Sequence, residues 1–401
     1  MNAFDDVYIY ETLRSPRTRA KAGTGLSGLS SIDIMLPLFK ELENRAPGAK
    51  KACGDLIFGS ATQTGEQGAN VAKLAANTAG WTQLPAMSIN RYCTSALDAM
   101  AIAAGKISMG IDQAVLAGGV EMMSRTPMMS DKAPGFMDPK VATAAHNLPL
   151  GIGADLIASL QNISREEADS YALRSQERAA KAIAEGRFKR SIVSIDTENG
   201  LMESDNAPRP GGSLESLAEL QPSFAKMGAM GIDQALLSQF KELDEIAHIH
   251  HPGNSPGMVD GASLNLMGSK SISEDLGINP RGRVLGFANA SGDPRLVLTG
   301  GIDAADKLLA AHKMTINDVD LMEFNESFAA TSIYCQRHFD LADEQYNVNG
   351  GALSLGHPMG ATGAMLVGMA LDELERQDKS IAMIAVSGAI GIGTAMLVER
   401  T

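Results

Sequence analysis

The strongest constraint on this chain is that one order of apolar runs and turn signals occurs twice. In the first half, strands are expected at Val7–Tyr10, Asp55–Gly59, Met87–Asn90 and Ala114–Ala117. Helices are expected between them, near Ser31–Asn44, Gly68–Ala79 and Thr94–Met109. The second half repeats the series, with strands at Arg283–Ala288, Val319–Phe324, Tyr346–Asn349 and Ile381–Val386. Its helices fall near Ile302–His312, Ser327–His338 and Gly360–Glu375. Alternating strands and helices, with strands apolar on both faces, predict an α/β fold of parallel sheets covered by helices.

The two copies keep register. Cys93 lies 38 residues beyond Asp55, and His357 lies 37 beyond Asp320. Each therefore falls at the turn between the third strand and third helix of its half, the carboxyl end where α/β units bind ligands. A pseudo-two-fold packing of the halves would bring both helix N-termini to one site.

The chain divides into an N-terminal half at 1–120, an insertion at 121–251, a return segment at 252–275 and a C-terminal half at 276–401. The insertion holds seven prolines and one clear helix, from the capping signal Ser164-Arg165-Glu166-Glu167 to about Ala184. Such loop-rich insertions commonly supply substrate-binding surface.

Composition narrows the class. At 44% hydrophobic and 20% charged the chain is globular, and its net charge of −13 argues against a nucleic-acid coat. Three scattered cysteines (Cys53, Cys93, Cys335) cannot form a disulfide framework and point to a reducing, cytoplasmic setting. The start Met1–Asp6 has neither a cationic stretch nor an apolar h-region, so no secretory signal is expected. Ser380–Val398 is uncharged for 19 residues, but its three glycines favour two buried strands around a turn over a membrane span.

Cys93 at a helix N-terminus is a candidate nucleophile, because the macrodipole and a nearby histidine would favour thiolate. Alone it would be read as a buried apolar residue, as His357 would be read as a structural histidine. Asn325 either caps the following helix or holds a water or carbonyl in the site. Gly253-Asn254-Ser255-Pro256-Gly257 matches G-x-S-x-G, but Pro256 has no N–H for an oxyanion hole, so a serine-hydrolase elbow is rejected. His248, His250 and His251 lack accompanying ligands for a metal and are read as solvated loop histidines. Arg187, Lys189 and Arg190 form either an anion contact or a solvated helix end.

The segment Ile89-Asn90-Arg91-Tyr92-Cys93-Thr94-Ser95-Ala96 resembles the nucleophile segment of thiolases. Gly118–Ser124, Phe324–Ala329 and Asn349–Pro358 resemble, in order, the family's Gly-Gly-x-Glu-x-Met-Ser, Asn-Glu-Ala-Phe and histidine motifs. The resemblance implies a duplicated α/β/α/β/α layered fold, a loop domain that binds coenzyme A, and homodimers or homotetramers. It implies thiolysis of a 3-ketoacyl-CoA to acetyl-CoA and a shortened acyl-CoA, or the reverse Claisen condensation, as in fatty acid metabolism. Cys93 would be the nucleophile and His357 its base. His357 and an Asn325-held water would stabilise one oxyanion, and the N–H groups of Cys93 and Ala389 the other. Coenzyme A would be a co-substrate, contacted by Arg187 and Ser255, with no tightly bound cofactor and no metal.

The chain departs from the family pattern at two positions. Ser387 stands where thiolases carry a second, acid/base cysteine, and Pro256 where many carry a serine that touches the pantetheine arm. The missing cysteine keeps open a condensing enzyme of ketoacyl-synthase type, or an acyl-CoA binding protein of low activity.

Overall fold

The computed structural model describes residues 6–401; the first five residues, part of the start expected to hold no secretory signal, lie outside the described residues. In the N-terminal half, β1 (Val7–Arg14), α1 (Ser31–Arg45), β2 (Cys53–Gly59), α2 (Val71–Thr78), β3 (Ala86–Ile89), α3 (Ser95–Ser108) and β4 (Ala114–Met122) follow in the expected order. The insertion contributes α4 (Leu150–Leu160) and α5 (Arg165–Ala184), after which β5 (Val259–Ser269) returns to the first half. The C-terminal half is β6 (Gly282–Ser291), α6 (Gly300–His312), β7 (Leu321–Phe324), α7 (Ala329–His338), α8 (Thr362–Gln377), β8 (Ile381–Ser387) and β9 (Ile392–Arg400).

The strands run in the order β7-β8-β9-β6-β1-β5-β4-β2-β3, so the halves carry the same topology and meet where β1 touches β6. That junction is short, pairing only Tyr8 with Arg283 and Ile9 with Gly282. Three apolar clusters give the layers. One cluster holds Ile57, Val115 and Ala117 from one half-sheet and Ile384, Val386 and Met396 from the other, with α3 and α8 between them. A second packs α1 and α2 on the outer face of the first half. A third packs α6 and α7 on the outer face of the second. The result is five layers, α/β/α/β/α.

Three expectations need correction. The sheet is mixed: β2 pairs in parallel with β3 and β4, and β7 with β8, but β5 and β9 run antiparallel to both neighbours. The β8–β9 turn spans only Gly388–Gly391, and so short a link can join only antiparallel neighbours. The expected strand at Tyr346–Asn349 is reduced to one bridge between Tyr346 and Met322. The insertion holds α4 as well as α5. This helix is buried through Gly151–Ala158, so it has no polar face and no amphipathic stripe to read. Its Gly153 leaves room for Val297, whose Cγ2 a Cβ there would meet at 2.6 Å. α5 starts where its capping signal predicts, with Ser164 Oγ accepting the Glu167 N–H at 3.1 Å. No helix among the described residues is long and apolar enough to cross a membrane.

Candidate active site

The turn that carries Cys93 is built from its own side chains. Asn90 Oδ1 accepts the Tyr92 N–H at 2.8 Å, which holds Tyr92 in the left-handed region at φ 53°. Ser95 Oγ accepts the Arg91 N–H at 2.8 Å and donates to the Tyr92 carbonyl at 2.6 Å. Thr94 Oγ1 donates to Asp98 Oδ2 at 2.5 Å, and Arg91 pairs with the same carboxylate. Cys93 is thereby fixed, buried, two residues ahead of α3.

His357 is placed by the matching turn of the second half. Gly356 has φ 85°, and a Cβ there would meet Val259 Cγ1 at 2.2 Å, so only glycine lets the chain lie against β5. The His357 N–H donates to the Gly257 carbonyl at 2.9 Å. Nδ1 sits 2.7 Å from Thr362 Oγ1, and Nε2 lies 3.4 Å from Asn325 Nδ2. With the Nδ1 proton on Thr362, Nε2 carries the lone pair, and the Asn325 N–H faces it at 3.4 Å. Asn325 Nδ2 also donates to Ser327 Oγ at 2.7 Å, while its Oδ1 is buried without a partner.

The two helix starts converge. A Cβ on Gly363 would meet Leu97 Cβ at 2.7 Å, so α8 crosses α3 just behind their N-termini. Cys93 shares its buried cluster with Leu355 and Met359, which flank His357. The turn after β8 closes over them: a Cβ on Gly388 would lie 3.4 Å from Tyr92 Cβ. In that turn the N–H of Gly388 goes to Ile392 and that of Gly391 to Val297, leaving Ala389 N–H uncommitted among the described residues. Ser387 Oγ accepts the Gly301 N–H at 2.9 Å.

Glu121 clamps this junction. Its carboxylate accepts the N–H groups of Ala61 and Thr62 at 2.8 and 3.1 Å, Gln67 Nε2 at 2.8 Å, and the Gly360 N–H at 2.9 Å. Burial pushes the Cys93 thiol up to about 12, and the nearby Glu121 adds to the rise against its own backbone N–H. Burial and the Arg17 guanidinium push His357 down to about 3. The thiolate expected from the helix dipole is thus overruled by desolvation, and thiol and imidazole rest as a neutral pair.

A cleft of about 370 Å³ has Leu217, Ser255, Gly257, Met258 and Leu353 among its walls, together with Arg19 and Arg209; His357 does not line it, but its N–H is held by the carbonyl of Gly257, which does. Burial and the neighbouring Arg19 lower the Arg209 pKa, as expected of two cations with too little negative charge between them. Ser255 lies on this cleft but Arg187 does not. The Arg187 guanidinium is held by Asn349 Oδ1 at 2.7 Å and Glu185 Oε2 at 2.8 Å. The histidines read as solvated are also displaced from that reading: His250 and His251 are fully buried. Asp155 takes His250 Nδ1 at 2.6 Å and His248 Nδ1 at 2.7 Å, and Asp169 takes His251 Nε2 at 2.8 Å. They anchor the insertion. Thr362 and Ser327 carry no sequence signal of a place in the site, because each touches it only through another residue, His357 and Asn325, and only the fold shows which.

Known proteins share this architecture. The thiolase N-terminal domain model matches residues 7–235 and the thiolase C-terminal domain model residues 278–400. A beta-ketoadipyl-CoA thiolase of Pseudomonas aeruginosa is 34% identical over 98% of this chain and 99% of its own. A 3-ketoacyl-CoA thiolase of a Marinomonas species is 34% identical over 99% of this chain and 98% of its own. The crystal structure of the Bacillus anthracis acetyl-CoA acetyltransferase superposes with a TM-score of 0.85 at 29% identity, covering 100% of both chains. The chain belongs to the thiolase family.

Proposed function

We propose that this protein is an acetyl-CoA C-acyltransferase that cleaves a 3-ketoacyl-CoA with coenzyme A, or runs the reverse condensation, through a thioester on Cys93. The observation that carries this reading is the convergence of the α3 and α8 starts, which puts a buried thiol and a buried, neutral imidazole at one junction. The relatives named for beta-ketoadipyl-CoA and 3-ketoacyl-CoA point the same way.

In the cleavage direction the Cys93 proton passes to His357 Nε2 as Sγ attacks the ketone carbon. A neutral pair suits this step, since neither charge has to exist in the buried site before the substrate arrives. The oxyanion that forms is met by the Asn325 amide and the imidazole, and Ala389 N–H is free for the thioester oxygen. The carbon–carbon bond then breaks, its electron pair leaving as the enolate of acetyl-CoA, and the proton held on His357 ends on that carbon. The thiol of a second coenzyme A gives its proton to His357 as its sulfur attacks the acyl-Cys93 carbonyl; Cys93 leaves as thiolate, takes that proton back, and the shortened acyl-CoA is released. Coenzyme A is a co-substrate here, its pantetheine arm along Ser255 and Met258 and its phosphates at Arg19 and Arg209. The protein would work in the cytoplasm as a homodimer or homotetramer.

Incubation with acetoacetyl-CoA or 3-ketoadipyl-CoA plus coenzyme A tests this. Acetyl-CoA should form, an acyl mass shift should appear on the Cys93 peptide, and both should vanish in Cys93→Ala. Ser387 in the place of a cysteine favours one second reading, a decarboxylating condensing enzyme. Consumption of malonyl-CoA without thiolysis would establish that instead, and acyl-CoA binding with no mass shift on Cys93 would indicate a binding protein.

A further inference from the structure

The turn that carries Asn325 is pinned at three places. At its first end the Asn325 N–H donates to the Ala385 carbonyl of β8 at 3.0 Å. In its middle, Glu326 accepts from Ser175 Oγ at 2.8 Å, from the Tyr171 hydroxyl at 3.1 Å and from the Leu353 N–H at 3.0 Å. At its far end stand Ser327, whose hydroxyl takes the Asn325 amide, and Phe328, the cap residue of α7. A phenylalanine side chain cannot cap, so the first N–H groups of α7 need acceptors from elsewhere.

A loop of the insertion supplies them. The Ala329 N–H donates to the Asn254 carbonyl at 3.3 Å, and the Ala330 N–H to His250 Nε2 at 3.4 Å. The buried His250 ring also stands edge-on to Phe328, with 5.4 Å between centroids and 71° between planes. Asp155 on α4 fixes that ring from behind, its Oδ1 taking His250 Nδ1 at 2.6 Å. With a carboxylate at Nδ1 and an N–H at Nε2, the ring carries its proton on Nδ1 and its lone pair on Nε2. The lone pair therefore faces the positive end of α7. Asn254 is held as firmly, its Nδ2 donating to Asp169 Oδ1 at 2.8 Å and its Oδ1 accepting the His251 N–H at 2.8 Å.

We propose that His250 is a positioning residue for Asn325: its imidazole, locked by Asp155, caps the start of α7 and seats Phe328, and so holds Ser327 Oγ where it keeps the Asn325 amide turned to His357. The proposal rests on the oxyanion role given to Asn325 above. His250 touches no reacting atom. Its path runs through Ala330 and Phe328 to Ser327, and from Ser327 Oγ to the amide at 2.7 Å. Anchoring the loop does not by itself require this ring, because Asp155 also takes the Ile249 and His250 backbone N–H groups, both at 3.1 Å, and His248 Nδ1 at 2.7 Å.

The test compares wild type, His250→Gln and His250→Asn. A glutamine amide reaches the place of Nε2 and offers the Ala330 N–H an acceptor; an asparagine reaches only the place of Nδ1 and keeps the bond to Asp155 alone. In thiolysis of acetoacetyl-CoA, His250→Asn should lower kcat about tenfold with KM changed by less than about twofold, and His250→Gln should recover most of that loss. Because His250 acts through Ser327, His250→Asn combined with Ser327→Ala should be no more than about twofold slower than the slower single variant. Additive losses, a loss confined to KM, or a His250→Gln as slow as His250→Asn overturns the proposal. Amide hydrogen exchange reads the same contact without substrate. The N–H groups of residues 329 and 330 should exchange at least about tenfold faster in His250→Asn than in wild type, and near the wild-type rate in His250→Gln. Unchanged exchange in His250→Asn overturns the proposal. If His250→Asn does not fold, His250→Phe, which keeps a ring and lacks the acceptor, replaces it with the same expectations. Unprotected amides at 329 and 330 in wild type overturn the proposal with no variant at all. A wild type that protects these amides but performs no thiolysis would overturn the enzymatic reading, while the exchange results still decide on His250.

Discussion

Ser387 Oγ accepts the Gly301 N–H at the first turn of α6, 2.9 Å away. The hydroxyl therefore lies at the positive end of a helix, with its proton still free to be donated. A thiol there would feel the same field and ionise far more readily than an alcohol near neutral pH. Ser387→Cys is expected to raise thiolysis kcat about 10- to 100-fold, within the usual worth of a positioned acid or base. Ser387→Ala should lower kcat by less than about tenfold. Unchanged turnover in Ser387→Cys would mean that another group already carries the enolate proton.

Ser327 Oγ accepts from the same Asn325 amide nitrogen that faces His357 Nε2. Removing its hydroxyl leaves the amide free to rotate away from the imidazole, while the backbone bond from Asn325 N–H to the Ala385 carbonyl, 3.0 Å, keeps β7 in place. Ser327→Ala should therefore lower kcat about tenfold, with KM changed by less than about twofold and little loss of stability. A steady-state comparison with acetoacetyl-CoA reads this, and a loss confined to KM would place Ser327 in ground-state binding instead.

The repeat and the register were legible because buried strands and glycine turns leave a strong pattern: Cys93 and His357 reach matching positions on nothing more than spacing. The antiparallel course of β5 was not legible, since Val259–Ser269 lies beyond a long insertion and its partners, β1 and β4, are far away in the chain. The His248–His251 run misled because its partners, Asp155, Asp169 and Asp233, sit on other segments. The ionisation of Cys93 misled for a different reason. Sequence shows a helix start, but the depth of burial that outweighs it belongs to the packed layers.

Glu121 ties the halves together by hydrogen bonds: one carboxylate accepts N–H groups from residues 61 and 62 on one side and 360 on the other. A glutamine there would turn an amide NH₂ toward at least one of these buried donors. Glu121→Gln is expected to cost about 2–4 kcal/mol, the scale of a lost charged hydrogen bond plus an unpaired buried donor. Urea unfolding measures this. A loss below about 0.5 kcal/mol would show that the donors find other partners.

Burial of neutral groups also shapes stability with pH. His357, down to about 3 in the folded protein, stays unprotonated where the unfolded chain, near the ordinary histidine value of 6.5, binds a proton. The unfolded state therefore binds more protons between about pH 3 and 6.5, and stability from this group is lost as pH falls through that window. Cys93, up to about 12 against an ordinary thiol value of 9.0, does the reverse: the folded state keeps a proton that the unfolded chain gives up. Its contribution is lost as pH rises from about 9 toward 12, and the buried, raised thiols of Cys53 and Cys335 act in the same direction. Each group sets a limiting slope of about 1.4 kcal/mol per pH unit. Comparing urea midpoints of wild type and His357→Gln isolates the acid branch: the variant should lose stability less steeply below pH 6.5, and parallel curves would show that His357 is protonated in the folded protein.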